Sequence, residues 1–437
     1  QDSQASREPV MIDFATEPSK YHHWTLDVDG EIATLTMSVD PAAGLRDDYE
    51  LKTNSYDLGV DIELHDVVQR LRFEHPSVKV AVLTGGLDKI FCAGANIQML
   101  AGATHEHKVN FCKFTNETRN SIEDATSNSQ QIWLAAVNGT AAGGGYELAL
   151  ACDEILLIDD RSSAVSLPEI PLLAVLPGTG GLTRLVEKRH VRRDLADAFA
   201  TRSEGVRGQT ALDCNLVDYI APASIFGELI TSRTTARAHT SDRPDVETNT
   251  PGVALTPLER TSSGQHIGYS NVTVEIDRGL GTATISIAAP RHVQPGDGAS
   301  LAAAGDQSWL LRTARELDDA ILHLRFNETS IGTWVFTTTG DTNAVAQAEA
   351  VMNADPDHWL VREVHLFWTR VLKRLDVSAR TLITAVEPGS CFCGILAELL
   401  LVADRSFMLE GTWEDDDDPP PAATIQLTAA NRMFPMS

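Results

Sequence analysis

The alternation of apolar and polar residues along this chain follows one plan twice. Trp24-Thr-Leu-Asp-Val-Asp-Gly30 and Ile32-Ala-Thr-Leu-Thr-Met37 each alternate with period two around an Asp29-Gly30 turn. That pattern predicts a β-hairpin. Val272-Thr-Val-Glu-Ile-Asp277 and Thr282-Ala-Thr-Ile-Ser-Ile287 repeat it around a Gly-containing turn. The spacing in Glu63-Leu-His-Asp-Val-Val-Gln-Arg-Leu-Arg-Phe73 predicts an amphipathic helix. Glu316-Leu-Asp-Asp-Ala-Ile-Leu-His-Leu-Arg-Phe326 has the same frame. Each helix precedes a strand ending in Thr-Gly, Val78–Gly85 and Thr333–Gly340. A third match sets Leu148–Ile155 against Leu399–Ser406. Three matches in one order predict an internal duplication. Strands alternating with helices predict an α/β fold.

The expected organisation is a first domain over 1–240, a linker over 241–270 and a second domain over 271–437. Residues 189–239, including Val191–Phe199, read as helical and are expected to pack on a neighbouring subunit or on the second copy. The stretch from Thr240 to Gly264 is rich in Pro, Thr and Ser, which marks a linker. The chain opens at Gln1 without an initiator Met, which points to a trimmed start. It stops at Ser437, near where the second copy should reach a Pro-Gly-rich turn and its helix. A truncated or missing end is expected there.

Candidate chemistry lies in two small-residue turns. Phe91-Cys-Ala-Gly-Ala-Asn-Ile-Gln-Met99 and Asn138-Gly-Thr-Ala-Ala-Gly-Gly-Gly-Tyr-Glu147 each lead into an amphipathic stretch. Side chains this small let a ligand oxygen approach backbone N–H groups. Two such donors aimed at one point make an oxyanion hole. The second turn delivers Glu147. A further carboxylate, Glu169, precedes the Pro177–Gly181 turn. Two donors and two carboxylates suit enolate or acid/base chemistry on a thioester. With Glu147 set against Glu398 and Asp153 against Asp404, Gly144 falls on Ile395, whose side chain is expected to crowd the hole. The counterpart of Glu169 lies near Thr428-Ala429, where there is no carboxylate. The second copy therefore reads as scaffold only.

Composition narrows the function. The 437 residues carry 35 Lys and Arg against 61 Asp and Glu, a net charge of -26. That disfavours nucleic acid and anionic membranes as partners. Any phosphate must be held by local donors or individual Lys and Arg. No apolar run reaches bilayer-spanning length, and no secretory signal is visible at the start, so a cytoplasmic location is expected. Six cysteines fit no disulfide framework or zinc ribbon and read as reduced thiols. His105-Glu-His107 lacks further ligands in what reads as a loop, so no metal is expected. The acidic run Glu414–Asp418 reads as a solvated loop. The Pro177–Gly181 turn lacks the surroundings of a dinucleotide fingerprint.

These residues resemble the crotonase (enoyl-CoA hydratase/isomerase) superfamily over 23–230, with 271–437 similar to a degenerate second copy. Leu51–Asp66, Phe111–Asn120 and Gly139–Glu154 resemble more closely the superfamily's ring-opening lyases of aerobic, CoA-dependent benzoate degradation. The resemblance implies a crotonase (ClpP/crotonase-like) ββα spiral fold, as a tandem of one active and one degenerate copy. It implies opening of 2,3-epoxy-2,3-dihydrobenzoyl-CoA with water to 3,4-didehydroadipyl-CoA semialdehyde and formate. It implies a CoA-thioester substrate, no cofactor beyond the coenzyme A within that substrate, and a homo-oligomer, expected as a homodimer. By the same resemblance the N–H groups of Ala95 and Gly144 are the oxyanion donors, and Glu147 and Glu169 the acid/base pair. Lys89 would meet a CoA phosphate, and the carbonyls of Ala93 and Ala95 the adenine. Asn116 and Glu117 would form a polar wall of the acyl pocket, with Cys112 either lining it or a buried structural thiol. Asn96 stands where the family often has Asp. The family's chain continues beyond the equivalent of Ser437. Two other readings compete: a hydratase or isomerase of linear enoyl-CoA, and a non-catalytic CoA-ester-binding protein. The polar wall and the tandem copy argue against the first, and the complete set of groups in the first copy against the second.

Overall fold

The Asp29-Gly30 turn forms as the alternation predicts, with Gly30 at φ +59° joining antiparallel strands Trp24–Asp29 and Ile32–Met37. The computed structural model describes residues 11–243, 246, 250–412 and 420–434. The acidic run Glu414–Asp418 lies outside them. Chain contacts divide the protein into two units, one built mainly from 16–251 and the other from 12–15 and 252–437.

In the first unit, Val80–Gly85, Ile132–Val137, Glu154–Ile158 and Tyr219–Ala221 join the hairpin in a six-stranded sheet, in chain order and in parallel. The region 189–239 is not wholly helical. It holds helices Arg193–Ala200, Gly208–Asp213 and Phe226–Thr240, with the edge strand Tyr219–Ala221 between them. Phe226 and Ala238 pack into a cluster with Val80, Val82, Ile132, Leu134, Ala136 and Leu156 of the unit's own sheet. Three short apolar residues gave no usable period, which hid the strand.

The helix expected from Glu63 starts earlier, at Leu58, and runs to Phe73. Asp57 caps it, accepting from the N–H of Gly59 and Val60, and also from Leu45 N and the Tyr49 hydroxyl. A second long helix, His105–Ser129, crosses the first. His105-Glu-His107 is its first turn rather than a loop, capped by Thr104.

The second unit holds a seven-stranded sheet: Thr261–Ser263, His266–Gly268, Val272–Asp277, Thr282–Ala288, Thr333–Thr339, Thr381–Val386 and Arg405–Met408. The first two strands lie in the segment read as linker. They extend the sheet antiparallel onto Val272–Asp277. From Val272 onward, the order of antiparallel hairpin, helix and parallel strands matches the first unit.

Corresponding buried groups make the same bonds in each unit. Glu63 accepts from the N–H groups of His22, His23 and Trp24 at 2.7, 2.9 and 3.2 Å. Glu316 accepts from Ser270, Asn271 and Val272 at 3.2, 2.8 and 3.1 Å. Tyr21 donates to Asp66, and Tyr269 to Asp319. Asp153 accepts from Trp133 N at 2.7 Å, and Asp404 from Leu382 N at 2.8 Å. Glu63, Glu316, Asp153 and Asp404 satisfy backbone N–H groups in or just before strands, which would otherwise lack a partner. No helix among the described residues is long and apolar enough to cross a membrane.

Asp57 is the joint between the strand Ser55–Tyr56 and the first long helix. Asp57→Ala should lower stability by about 1–2 kcal/mol for the lost cap, with more from the other donors left unpaired. Urea unfolding of the two proteins measures it.

Candidate active site

The site begins with a small parallel sheet of Lys89–Cys92, Gly139–Ala142 and Val165–Ser166. It brings the first small-residue turn, 93–96, against the second, 143–145. Gly94, at φ +87°, shows how close they are: a Cβ there would lie 2.7 Å from Ala142 O and 2.9 Å from Gly144 N. Gly94–Ala95 also pairs in parallel with Ser55–Tyr56. Asn96 N donates to Tyr56 O at 2.8 Å, so the preceding Ala95 N–H faces away from that strand. Gly143, at φ +54°, starts the helix Gly144–Ala151 without a side-chain cap. First-turn N–H groups have no acceptor within their own helix, and among the described residues Gly144 N–H has none elsewhere. Ala95 and Gly144 therefore offer two backbone donors on adjoining turns.

Both glutamates reach this place, in contrasting surroundings. Glu147 is 2% exposed. It accepts from Thr179 N at 3.0 Å, from Gly181 N at 2.8 Å and from the Thr179 hydroxyl. Glu169 opens the short helix Glu169–Leu173. Its Oε1 lies against Gly143, where a Cβ would stand 2.8 Å away. Its Oε2 is sealed from solvent with no hydrogen-bond partner. Burial first, then the nearby Glu147 charge, push its pKa up to about 7.

The other expected residues are placed as follows. Asn116 is half-buried. Its Nδ2 donates to Cys112 O at 2.9 Å and to Gly178 O at 3.0 Å, tying the helix to the turn that holds Glu147. Arg184 secures the same turn through Thr179 O at 2.9 Å, while bonding Glu123 and Asn120. Glu117 is half-buried on that helix. Cys112 is half-buried, its thiol pKa raised by burial and then by Glu147, with Sγ beside Gly178. Lys89 is exposed at φ +58°, paired with Gly139. Ala93 is exposed and donates its N–H to Thr53 O at 3.2 Å. Asn96 caps the next helix, accepting from Met99 N. Among the described residues no group of three or more His, Cys, Asp or Glu could hold a metal ion, and all six cysteines are free.

Sequence reasoning missed Thr179 and Tyr56. Thr179 sits inside a turn noted only for its glycines. Tyr56 lies over Gly144, where any Cβ would overlap its hydroxyl. Packing against Tyr56 therefore requires glycine at 144. Nothing in the local pattern distinguishes Tyr56 from a core aromatic.

The sequence profile of the enoyl-CoA hydratase/isomerase family matches residues 50–241. Over 407 residues the chain is 56% identical to benzoyl-CoA-dihydrodiol lyase of Aromatoleum evansii, covering 93% of this chain and 73% of that protein. The chain belongs to the enoyl-CoA hydratase/isomerase family. It has that family's crotonase-like fold. A 2,3-dehydroadipyl-CoA hydratase of Escherichia coli is 32% identical over 34% of this chain and 54% of its own. Among solved structures, an enoyl-CoA hydratase of Bacillus anthracis is 27% identical with TM-score 0.43, covering 49% of this chain and 76% of that one.

In the second unit, Ile425–Gln426 pairs with Phe392–Cys393 as Val165–Ser166 pairs with Ala141–Ala142. From those pairs Ala429 and Ile395 stand at the same offsets as Glu169 and Gly144 do. The Ile395 N–H is not merely crowded by its own side chain. It donates to Glu349 Oε2 at 2.7 Å, and a Cβ on Gly394 would overlap that same carboxylate.

With its pKa near 7, Glu169 should titrate with a midpoint far above an ordinary glutamate by carboxyl-carbon NMR. Glu147→Gln should move that midpoint down, because it removes a negative charge. The linkage has a definite sign. The folded pKa of about 7 lies above the ordinary 4.5, so wild-type stability falls as pH rises from one toward the other. Glu169→Gln should therefore gain stability over wild type at pH 8 and lose that advantage near pH 4, measured by denaturant unfolding.

Proposed function

We propose that this protein opens the ring of 2,3-epoxy-2,3-dihydrobenzoyl-CoA with two water molecules, giving 3,4-didehydroadipyl-CoA semialdehyde and formate. The observation that carries the reading is the 56% identity to a benzoyl-CoA-dihydrodiol lyase across 93% of the chain. The site chemistry supports it. The thioester oxygen is held by Ala95 and Gly144 N–H, which stabilise negative charge delocalised from the ring. Glu169, with a pKa near 7 and one oxygen unpartnered, moves a proton between the epoxide oxygen and water. Glu147, set to accept by three fixed donors, orients Glu169 and the attacking water. We read the exposed Lys89 as the cation for a CoA phosphate, and the carbonyls of Ala93 and Ala95 as partners for the adenine. Asn116 acts through the Glu147 turn, and Glu117 stands on the same helix at the acyl side. Coenzyme A enters only as part of the substrate.

The second unit is read as a duplicate that keeps the scaffold and has lost the site. The paired roles of Glu63 and Glu316, and of Asp153 and Asp404, support common descent. Glu349 fills the donor that a thioester oxygen would need, and Ala429 replaces the titrating carboxyl.

Purified protein should convert the epoxide and leave crotonyl-CoA unreacted. Hydration of crotonyl-CoA without epoxide opening would replace this reading with the hydratase one, and binding without turnover of either would make it a CoA-ester-binding protein. Glu169→Gln should cost about 100- to 10,000-fold in kcat while benzoyl-CoA affinity changes little. Calorimetric titration should find one thioester per chain, and two equivalent sites would overturn the account of the second unit.

A further inference from the structure

We propose that the Tyr56 hydroxyl is a third hydrogen-bond donor to the oxygen seated between the N–H groups of Ala95 and Gly144. This rests on reading those two groups as the cradle of a thioester oxygen.

Four observations place it there. The two-residue ladder that presents Ala95 pairs it with Tyr56 itself, so one piece of backbone positions both. The Tyr56 oxygen lies where Gly144 would carry a Cβ, directly beside the second donor. The ring is only 1% exposed, yet among the described residues its hydroxyl has no hydrogen-bond partner. It is also absent from the unpartnered polar atoms that are sealed from solvent, so its oxygen retains surface. A buried tyrosine hydroxyl normally finds a partner, and the other buried tyrosines do: Tyr49 bonds Asp57 and Tyr146 bonds Leu216 O. Among the buried tyrosines of the described residues, Tyr56 alone has no protein partner for its hydroxyl.

The ring is held firmly for that task. The Arg119 guanidinium sits 5.3 Å from its centroid, and Phe111 lies 6.0 Å away. Arg119 is fixed by Asp61 at 2.5 Å, and Asp61 in turn accepts from the Thr115 hydroxyl at 2.5 Å. The fully buried Arg119 and Asp61 thus make a charged base plate under the ring and leave the hydroxyl to point past it. Burial, outweighing Arg119, keeps the phenol pKa well above 10, so the group is a donor at any working pH.

The test uses benzoyl-CoA labelled with carbon-13 at its carbonyl, a thioester without an epoxide to open. Bound to the full-length protein, its carbonyl stretch should fall to lower frequency than in water. Tyr56→Phe keeps the ring and its stacking and removes only the donor. It should recover part of that shift, bind benzoyl-CoA within severalfold of wild type, and lose roughly 10- to 1,000-fold in kcat on the epoxide. An identical carbonyl frequency in wild type and Tyr56→Phe overturns the proposal, whatever the turnover, because the hydroxyl then meets only water or a different atom. No shift on binding wild type would instead overturn the cradle itself. If Tyr56→Phe fails to fold, a fluorotyrosine placed at 56 alone gives the second reading. Its more acidic hydroxyl should deepen the shift, and an unchanged frequency overturns the proposal.

Discussion

The site depends on backbone meeting backbone between the turns at 93–96 and 143–145. A Cβ at Gly94 would press on both Ala142 O and Gly144 N, and one at Gly144 would overlap the Tyr56 hydroxyl. Interiors this close-packed leave no route for a side chain without moving a strand. The same lack of side chains lets two backbone donors converge. Each donor is unpaired for a local reason: Ala95 alternates out of a two-residue ladder, and Gly144 begins a helix without a cap. The rest of the first unit serves this approach. The small three-stranded sheet sets its register, and Asp57 fixes the strand that carries Tyr56 to the helix behind it.

The two glutamates show how environment separates identical groups. Glu147 is encircled by three donors from a turn that Asn116 and Arg184 brace from the long helix. Glu169 has one oxygen sealed without a partner and a neighbouring carboxylate. Desolvation and like charge both favour its protonated form. Glu147 was legible because it ends a glycine turn, and Glu169 from the family resemblance, just before the Pro177–Gly181 turn. Their surroundings were not legible, because the Thr179 donors and the orphaned Oε2 have no local signature.

What was legible followed from period and turn chemistry. The hairpins, the helices near 63 and 316, the Thr-Gly strand ends and the order of elements in the second unit are periodic and appear where expected. The boundaries were not legible. The first helix gains five residues because Asp57 caps it, and the cap sits before the periodic run begins. Tyr219–Ala221 escaped because three residues carry no period. The strands Thr261–Ser263 and His266–Gly268 escaped because Thr, Ser and Gly read as linker, although cross-strand pairing holds them on the sheet. Asn116 was read as a pocket wall from its helix. Its bond to Gly178 O spans 62 positions, which no local pattern encodes.

The second unit has a turn of similar backbone form that is closed by side chains. It turns at Gly394, φ +49°, and directs the Ile395 N–H inward. That N–H is now fully buried, where an unpaired donor costs about 1–3 kcal/mol. Glu349 supplies the acceptor, and Thr428 donates to its other oxygen. Asn431 donates to both Gly394 O and Glu398, closing the network. The first unit leaves the corresponding donors unpaired and keeps the glycines that guard them. Two turns of similar backbone geometry thus differ in whether a side-chain carboxylate meets the N–H that follows the glycine.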